Sequence, residues 1–152
     1  MNLQELLQAQ ETSIIDEAAV ALDRSRLKHY ATAGDAWNRE RLTDLFHLTR
    51  DCVTSRNLTP LLDHMEAIAQ ERFTAGFDIH EVQTAVNVLE ESIWRHVSQN
   101  LAADALAEAF GLVGTALGAG KDALARAYVS LASQNKAPSL NLSALFAGTD
   151  GV

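Results

Sequence analysis

Residues 76–82, Gly-Phe-Asp-Ile-His-Glu-Val, stop one helix and start another, and no other stretch constrains the fold of this chain so tightly. Gly76 suits the left-handed position that closes a helix, because it has no Cβ to clash with the following carbonyl. Asp78 is placed to accept the free amide hydrogens of a new first turn. Glu81, three residues on, is placed to reach back to the Asp78 amide and complete a capping box. Phe77 and Val82 fall at the two positions whose side chains pack together across a helix start. Arg72 lies one turn before the break. A junction specified from both sides fixes the angle between two helices.

Helical periodicity runs along nearly all of the chain, and strand alternation is found nowhere. A short first helix is expected over Leu3–Ala9. A second begins near Ser13, where Ser13-x-x-Asp16 is a cap signal, turns Ile15, Ala18, Leu22 and Ser25 inward, and fades over residues 30–34. Asp35 is the expected cap of a third, whose apolar positions Leu42, Leu45, Leu48 and Cys52 run to about Ser55. Thr59 as N-cap and Pro60 at the first helical position open the fourth, since a proline there gives up an amide hydrogen that has no partner anyway. Leu61, Met65, Ile68, Ala69 and Phe73 line one face of it up to Gly76. After Asp78 the fifth helix carries Ile79, Val82, Val86, Leu89, Ile93 and Val97 at alternating spacings of three and four, with Glu91 and Arg95 on a wet side.

Residues 100–134 read as one long helix or two collinear ones. Phe110, Leu117, Leu124 and Leu131 recur every seven residues, with Val113 at the companion seam position. A second stripe, Ala103, Ala107, Gly111, Thr115, Ala119, Ala123 and Ala127, contains only small side chains, which allow a close helix–helix approach. No charge appears between Glu108 and Lys121, so this segment needs cover on more than one side. Phe110, Val113, Leu117, Leu124 and Leu131 are accordingly the expected homodimer interface. Residues 1–136 form one helical domain. Ala137-Pro138-Ser139 then breaks the pattern, and the tail 137–152, with Leu140, Leu142, Leu145 and Phe146, suits either a short docking helix or a frayed terminus.

The net charge of −8 excludes a nucleic-acid groove, which needs clustered lysine and arginine to displace counterions. The basic residues of 24–56 are interspersed with acidic ones rather than gathered in a stripe. The single cysteine, Cys52, excludes an internal disulfide and suits a reducing cytoplasm. The N-terminus lacks the basic flank and apolar run of a secretory leader. The uncharged stretch 109–120 is shorter than the roughly 20 residues that span a bilayer, so no membrane partner is expected.

Chemistry-bearing patterns are sparse. Gly120-Lys121 lacks the preceding glycine of a phosphate loop, no cysteine pair or His-Glu-x-x-His is present, and Asp44-x-x-His47 stands alone where a di-iron bundle needs a repeated Glu-x-x-His. His80-Glu81 falls in a helix first turn, where Glu81 already has a capping role. Cys52 sits on an apolar helix face with no cation beside it, as an inert thiol does. His64, Phe73, Ile93 and Trp94 are the residues expected to line a pocket between the helices 59–76, 79–97 and 100–134, should one exist; otherwise they are core or boundary side chains. No metal, cofactor or catalytic group is expected.

The stretch 64–82, through Arg72, Gly76-Phe77, Ile79 and Val82, followed by an amphipathic helix with Leu89 and Ile93, resembles the N-terminal sensory domain of the RsbR-type stressosome co-antagonists. The resemblance implies a globin-like helical fold without haem, a dimer packed through terminal helices, and an input module with no catalytic residues. The functional expectation is a cytoplasmic, non-enzymatic sensory or protein-interaction domain that engages a signalling protein partner. The alternative is a globin-like protein that binds a small ligand or cofactor. The family continues into an output domain, and this chain carries only a short tail after residue 136.

Overall fold

The structure, a computed structural model, describes residues 1–136; the expected tail segment 137–152 lies outside the described residues. The described residues form an all-α bundle of seven helices: α1 (Leu3–Ala9), α2 (Glu11–Arg24), α3 (Lys28–Ala33), α4 (Asp35–Ser55), α5 (Thr59–Thr74), α6 (Ile79–Asn100) and α7 (Leu106–Lys136), with one turn of 3-10 helix at Ala103–Ala105. None is long and apolar enough to cross a membrane.

α7 organises the bundle. It packs most extensively on α5 and also on α6 and α4, while α2 packs on α6 and α4. Although α5 and α6 are consecutive, they make little direct contact; α7 joins them. One core unites the layers: Leu6 and Leu7, Ile14 and Ala18, Leu42 and Phe46, Leu61 and Met65, Val86, Leu89, Ile93 and Val97, and Val113, Leu117 and Leu124 are all buried. Gly120 lets α7 approach α5, since a Cβ there would stand 3.4 Å from Met65 Cγ.

Several boundaries differ from the sequence expectation, each for a local reason. α2 begins at Glu11 rather than near Ser13, following directly on α1 after Gln10. It ends where Arg26 takes a left-handed φ of 51°, so residues 28–33 form a separate helix rather than a fading end. Ser25, expected inward, is exposed and donates to the Ala21 carbonyl. Asp35 is the first residue of α4, not its cap; Gly34, with φ of 92°, stands in the cap position. Leu58 precedes α5, and the amide of Thr59 is held by Asn57 Oδ1 at 3.1 Å, so Thr59 and Pro60 each lie one residue further inside the helix than expected. α6 runs on to Asn100 and α7 starts only at Leu106.

The expected homodimer seam requires correction. Val113, Leu117 and Leu124 are 0% exposed, because they face the α5 and α6 side of the chain's own core. Phe110 is half-buried with its ring edge-on to Trp94, and Leu131 is half-buried beside α5. The surface left open on α7 is the other face. Ala107, Gly111, Thr115 and Gly118 are exposed, and a Cβ built on Gly111, Gly114 or Gly118 meets no atom of the described residues within 4 Å.

Candidate functional site

The joint between α5 and α6 is closed by both kinds of cap. Gly76 has φ of 88°, its amide donates to Phe73 O at 3.1 Å, and the Phe77 amide donates to Arg72 O at 2.9 Å. This pair of bonds satisfies the last carbonyls of α5 in a Schellman arrangement. On the other side, Asp78 Oδ1 accepts from the His80 amide at 2.9 Å, and Glu81 Oε1 accepts from the Asp78 amide at 3.0 Å, completing the capping box. Phe77 and Val82 are both buried.

Glu81 reaches further than its own helix. Its Oε2 accepts from the His29 amide at 2.9 Å, and its Oε1 lies 2.7 Å from His29 Nδ1. One carboxylate therefore holds the first turns of both α6 and α3, where unpaired amide hydrogens favour negative charge. Burial pushes the Glu81 carboxyl up, but the His29 and Asp78 amides and the His29 ring more than offset it, leaving it below the usual carboxylate range.

Arg72 is 2% exposed and fills the space behind the joint. Its guanidinium lies 4.6 Å from the Trp37 ring centroid and 5.7 Å from that of Phe77, and Nη1 donates to Glu71 at 2.6 Å. Arg41 stacks on the same indole at 4.3 Å. Tyr30 meets Phe77 edge-on, and His29 lies against the same ring. From α7, the Tyr128 hydroxyl donates to Phe77 O at 3.0 Å, and burial raises its pKa to about 12. Helices α3, α4, α5, α6 and α7 thus meet at one joint.

Behind it lies a cavity of about 30 Å³, lined by Tyr30, Asn38, Arg41, His64, Arg72 and apolar side chains from α2, α4, α5 and α6. The Asn38 Nδ2 donates to Tyr30 O at 3.0 Å, which turns Oδ1 away from that carbonyl. Asn38 Oδ1 and Arg72 Nε, both buried, find no hydrogen-bond partner among the described residues. Burial lowers the His64 pKa, partly opposed by Asp44.

The expected pocket residues do not gather around this space. Only His64 lines it. Phe73 packs edge-on against Tyr128, Ile93 is fully buried in the core, and Trp94 is 42% exposed beside Phe110. α7 bridges α5 and α6, which make little direct contact. Trp37, whose indole lies against the Arg72 guanidinium, and Tyr30, Asn38 and Arg41, which line the same cavity as Arg72, come from a distant part of the sequence. The one local signal for them is Asn38, a polar residue four positions before Leu42 on the buried face of α4.

His80 is exposed, and His96 is buried between Gln10, through Nδ1, and Glu17 Oε2, 3.2 Å from Nε2. Cys52 is buried and burial raises its pKa, as in an unreactive thiol. Among the described residues no group of three or more histidine, cysteine, aspartate or glutamate side chains is placed to hold a metal. No family model matches the chain, and no curated protein or solved structure does.

Proposed function

We propose that this chain is a non-enzymatic, cytoplasmic sensory or protein-interaction domain of the kind found at the N-terminus of RsbR-type stress regulators, with a globin-like arrangement of helices, and that it works as a homodimer. The observation that carries this reading is the outer face of α7. Gly111, Thr115 and Gly118 lie on the surface of a helix that bears no charge from residue 109 to residue 120. A helix in water normally covers such a face or makes it polar. Small residues at spacings of three and four let a second helix come close, and an antiparallel copy of α7 brings the same surface to meet itself. The residues behind the family resemblance, Arg72, Gly76, Phe77 and Val82, are those that build the joint. A signal that shifts α5 or α6 at that joint reaches α7 through Tyr128 and the α5 contact. Light scattering over a concentration series tests the reading: a mass that rises to twice the monomer supports it, and a constant monomer mass opposes it.

A second reading, a small-ligand-binding protein, rests on the cavity beside Arg72. Native mass spectrometry of the purified chain tests it through any small mass that is lost on denaturation.

A further inference from the structure

α7 runs past the helix it packs on. α5 and α7 lie side by side and point the same way, with Gly120 against Leu61 and Met65, and Tyr128 edge-on to Phe73. α5 stops at Thr74, whereas α7 continues to Lys136. Between the two helices is a groove of about 580 Å³ that extends from Ala119 to Leu131 on α7 and from Leu62 to Gln70 on α5. Leu62, Ala119, Ala123, Ala127 and Leu131 supply its apolar lining, and all five are half-buried. At its edge Arg126 Nε donates to Asp122 Oδ2 at 2.8 Å, so that guanidinium does not call for a charged visitor. The groove suits an uncharged apolar segment.

The chain beyond Lys136 supplies one within reach. No charge occurs between Lys136 and Asp150, so this stretch can leave water without stripping an ion. Pro138 opposes the helical conformation at Ala137, which favours a change of direction there. Leu142, Leu145 and Phe146 stand at i, i+3 and i+4, the spacing that puts three side chains on one face of a helical turn. Leu131 lies about 7.5 Å before Lys136 along the α7 axis. The link from Lys136 to Leu140 spans up to about 13 Å, enough to turn back and enter the groove beside Leu131. From there residues 140–146, as helix, cover about 10 Å of a groove about 18 Å long. So short a link also sets an effective concentration on the order of mM, which a second copy in dilute solution does not match.

We propose that residues 140–146 dock on their own chain in the groove between α5 and α7, with Leu142, Leu145 and Phe146 against Leu62, Ala123, Ala127 and Leu131. Gly111, Gly114 and Gly118 form no part of this groove, so the docked segment leaves the glycine face of α7 free. The proposal therefore stands or falls independently of the dimer.

A nitroxide attached to the full chain at Gly148→Cys, two residues beyond Phe146, tests it; Cys52 is buried and stays unlabelled. Backbone amide signals of the isotope-labelled protein are compared before and after the nitroxide is reduced. Docking returns the label to the middle of the groove. Glu66 and Ala123 should then lose most of their signal, and more of it than Asn135, which is far nearer in sequence. Leu142→Asp in the same spin-labelled chain should restore both signals. Isotope-labelled chain without nitroxide, mixed with spin-labelled chain without isotope, should keep Glu66 and Ala123 at full intensity. The proposal would be overturned by no attenuation, by an attenuation that only declines from Asn135 inward, or by one centred on another surface. An attenuation unchanged by Leu142→Asp, or equally strong in the mixture because the segment sits on a second copy, would overturn it too.

Discussion

The joint at residues 72–82 and the outer face of α7 place helices by opposite means. At the joint nearly every polar group is engaged: Gly76 closes α5, Asp78 and Glu81 open α6, Glu81 also holds α3, and Tyr128 ties α7 to Phe77 O. The α7 face has no such bonds. Its glycines lie open, and apolar packing on the far side of the helix holds it in place. A joint built from directional bonds specifies an angle. A smooth uncharged face specifies only that something flat can come near. The first belongs to the machinery of one chain, and the second is the surface on which two chains meet in the reading above.

The largest effect is expected from the inner face of α7. Leu117→Asp places a charge in the closed core and should cost on the order of 4 kcal/mol, removing the cooperative thermal transition seen by circular dichroism. A folded, monomeric Leu117→Asp protein would reverse the assignment of inner and outer faces. Next comes Gly76→Ala. Its left-handed φ and the His29 ring 3.4 Å from the new Cβ predict a loss of about 1–2 kcal/mol, read as a lower Tm.

Glu81→Gln should cost about 1 kcal/mol or more at neutral pH, since a charged acceptor of two amides becomes a neutral one. The pH dependence has a definite sign. The folded-state pKa of Glu81 lies below its unfolded value, so its stabilisation is present above the unfolded carboxylate range and is lost as pH falls through the folded pKa. The gap in Tm between wild type and Glu81→Gln should therefore shrink on acidification below about pH 4.5. A gap independent of pH would show that the carboxylate charge is not what holds the joint. The smallest effect has the opposite sign. Gly118→Ala adds a methyl group where no atom of the described residues lies within 4 Å, and should stabilise the dilute monomer by up to about 1 kcal/mol through helix propensity.

These two regions were not equally legible in the sequence. The caps of the joint could be read almost residue by residue, because capping chemistry is local and Arg72, Gly76, Asp78 and Glu81 lie within ten positions of one another; His29 and Tyr128 reach it only through tertiary packing. The all-α class was equally plain from periodicity. The break at Arg26 was hidden, since it adopts a left-handed φ with an arginine where sequence logic looks for glycine or asparagine, whereas the end of α4 at Ser55 was legible although Arg56 has a similar φ. The companions of Arg72 were hidden for a different reason. Trp37 and Asn38 are brought to it by tertiary packing, and only the polar Asn38 on an apolar helix face hinted at a buried site. The α7 heptad was visible, but periodicity shows which residues share a face and not whether that face meets α5 or another subunit. Val113, Leu117 and Leu124 turned out to serve the chain's own core.

Sedimentation equilibrium of the wild type beside Gly111→Glu decides whether two chains meet on the glycine face of α7, as proposed. Gly111 is exposed with open space around it, so the glutamate can be accommodated by the single chain. The expected result is a concentration-dependent dimer for the wild type and, for the variant, a monomer with unchanged helicity. A wild type that remains monomeric at every concentration, or a Gly111→Glu protein that dimerises as well as the wild type, would contradict it.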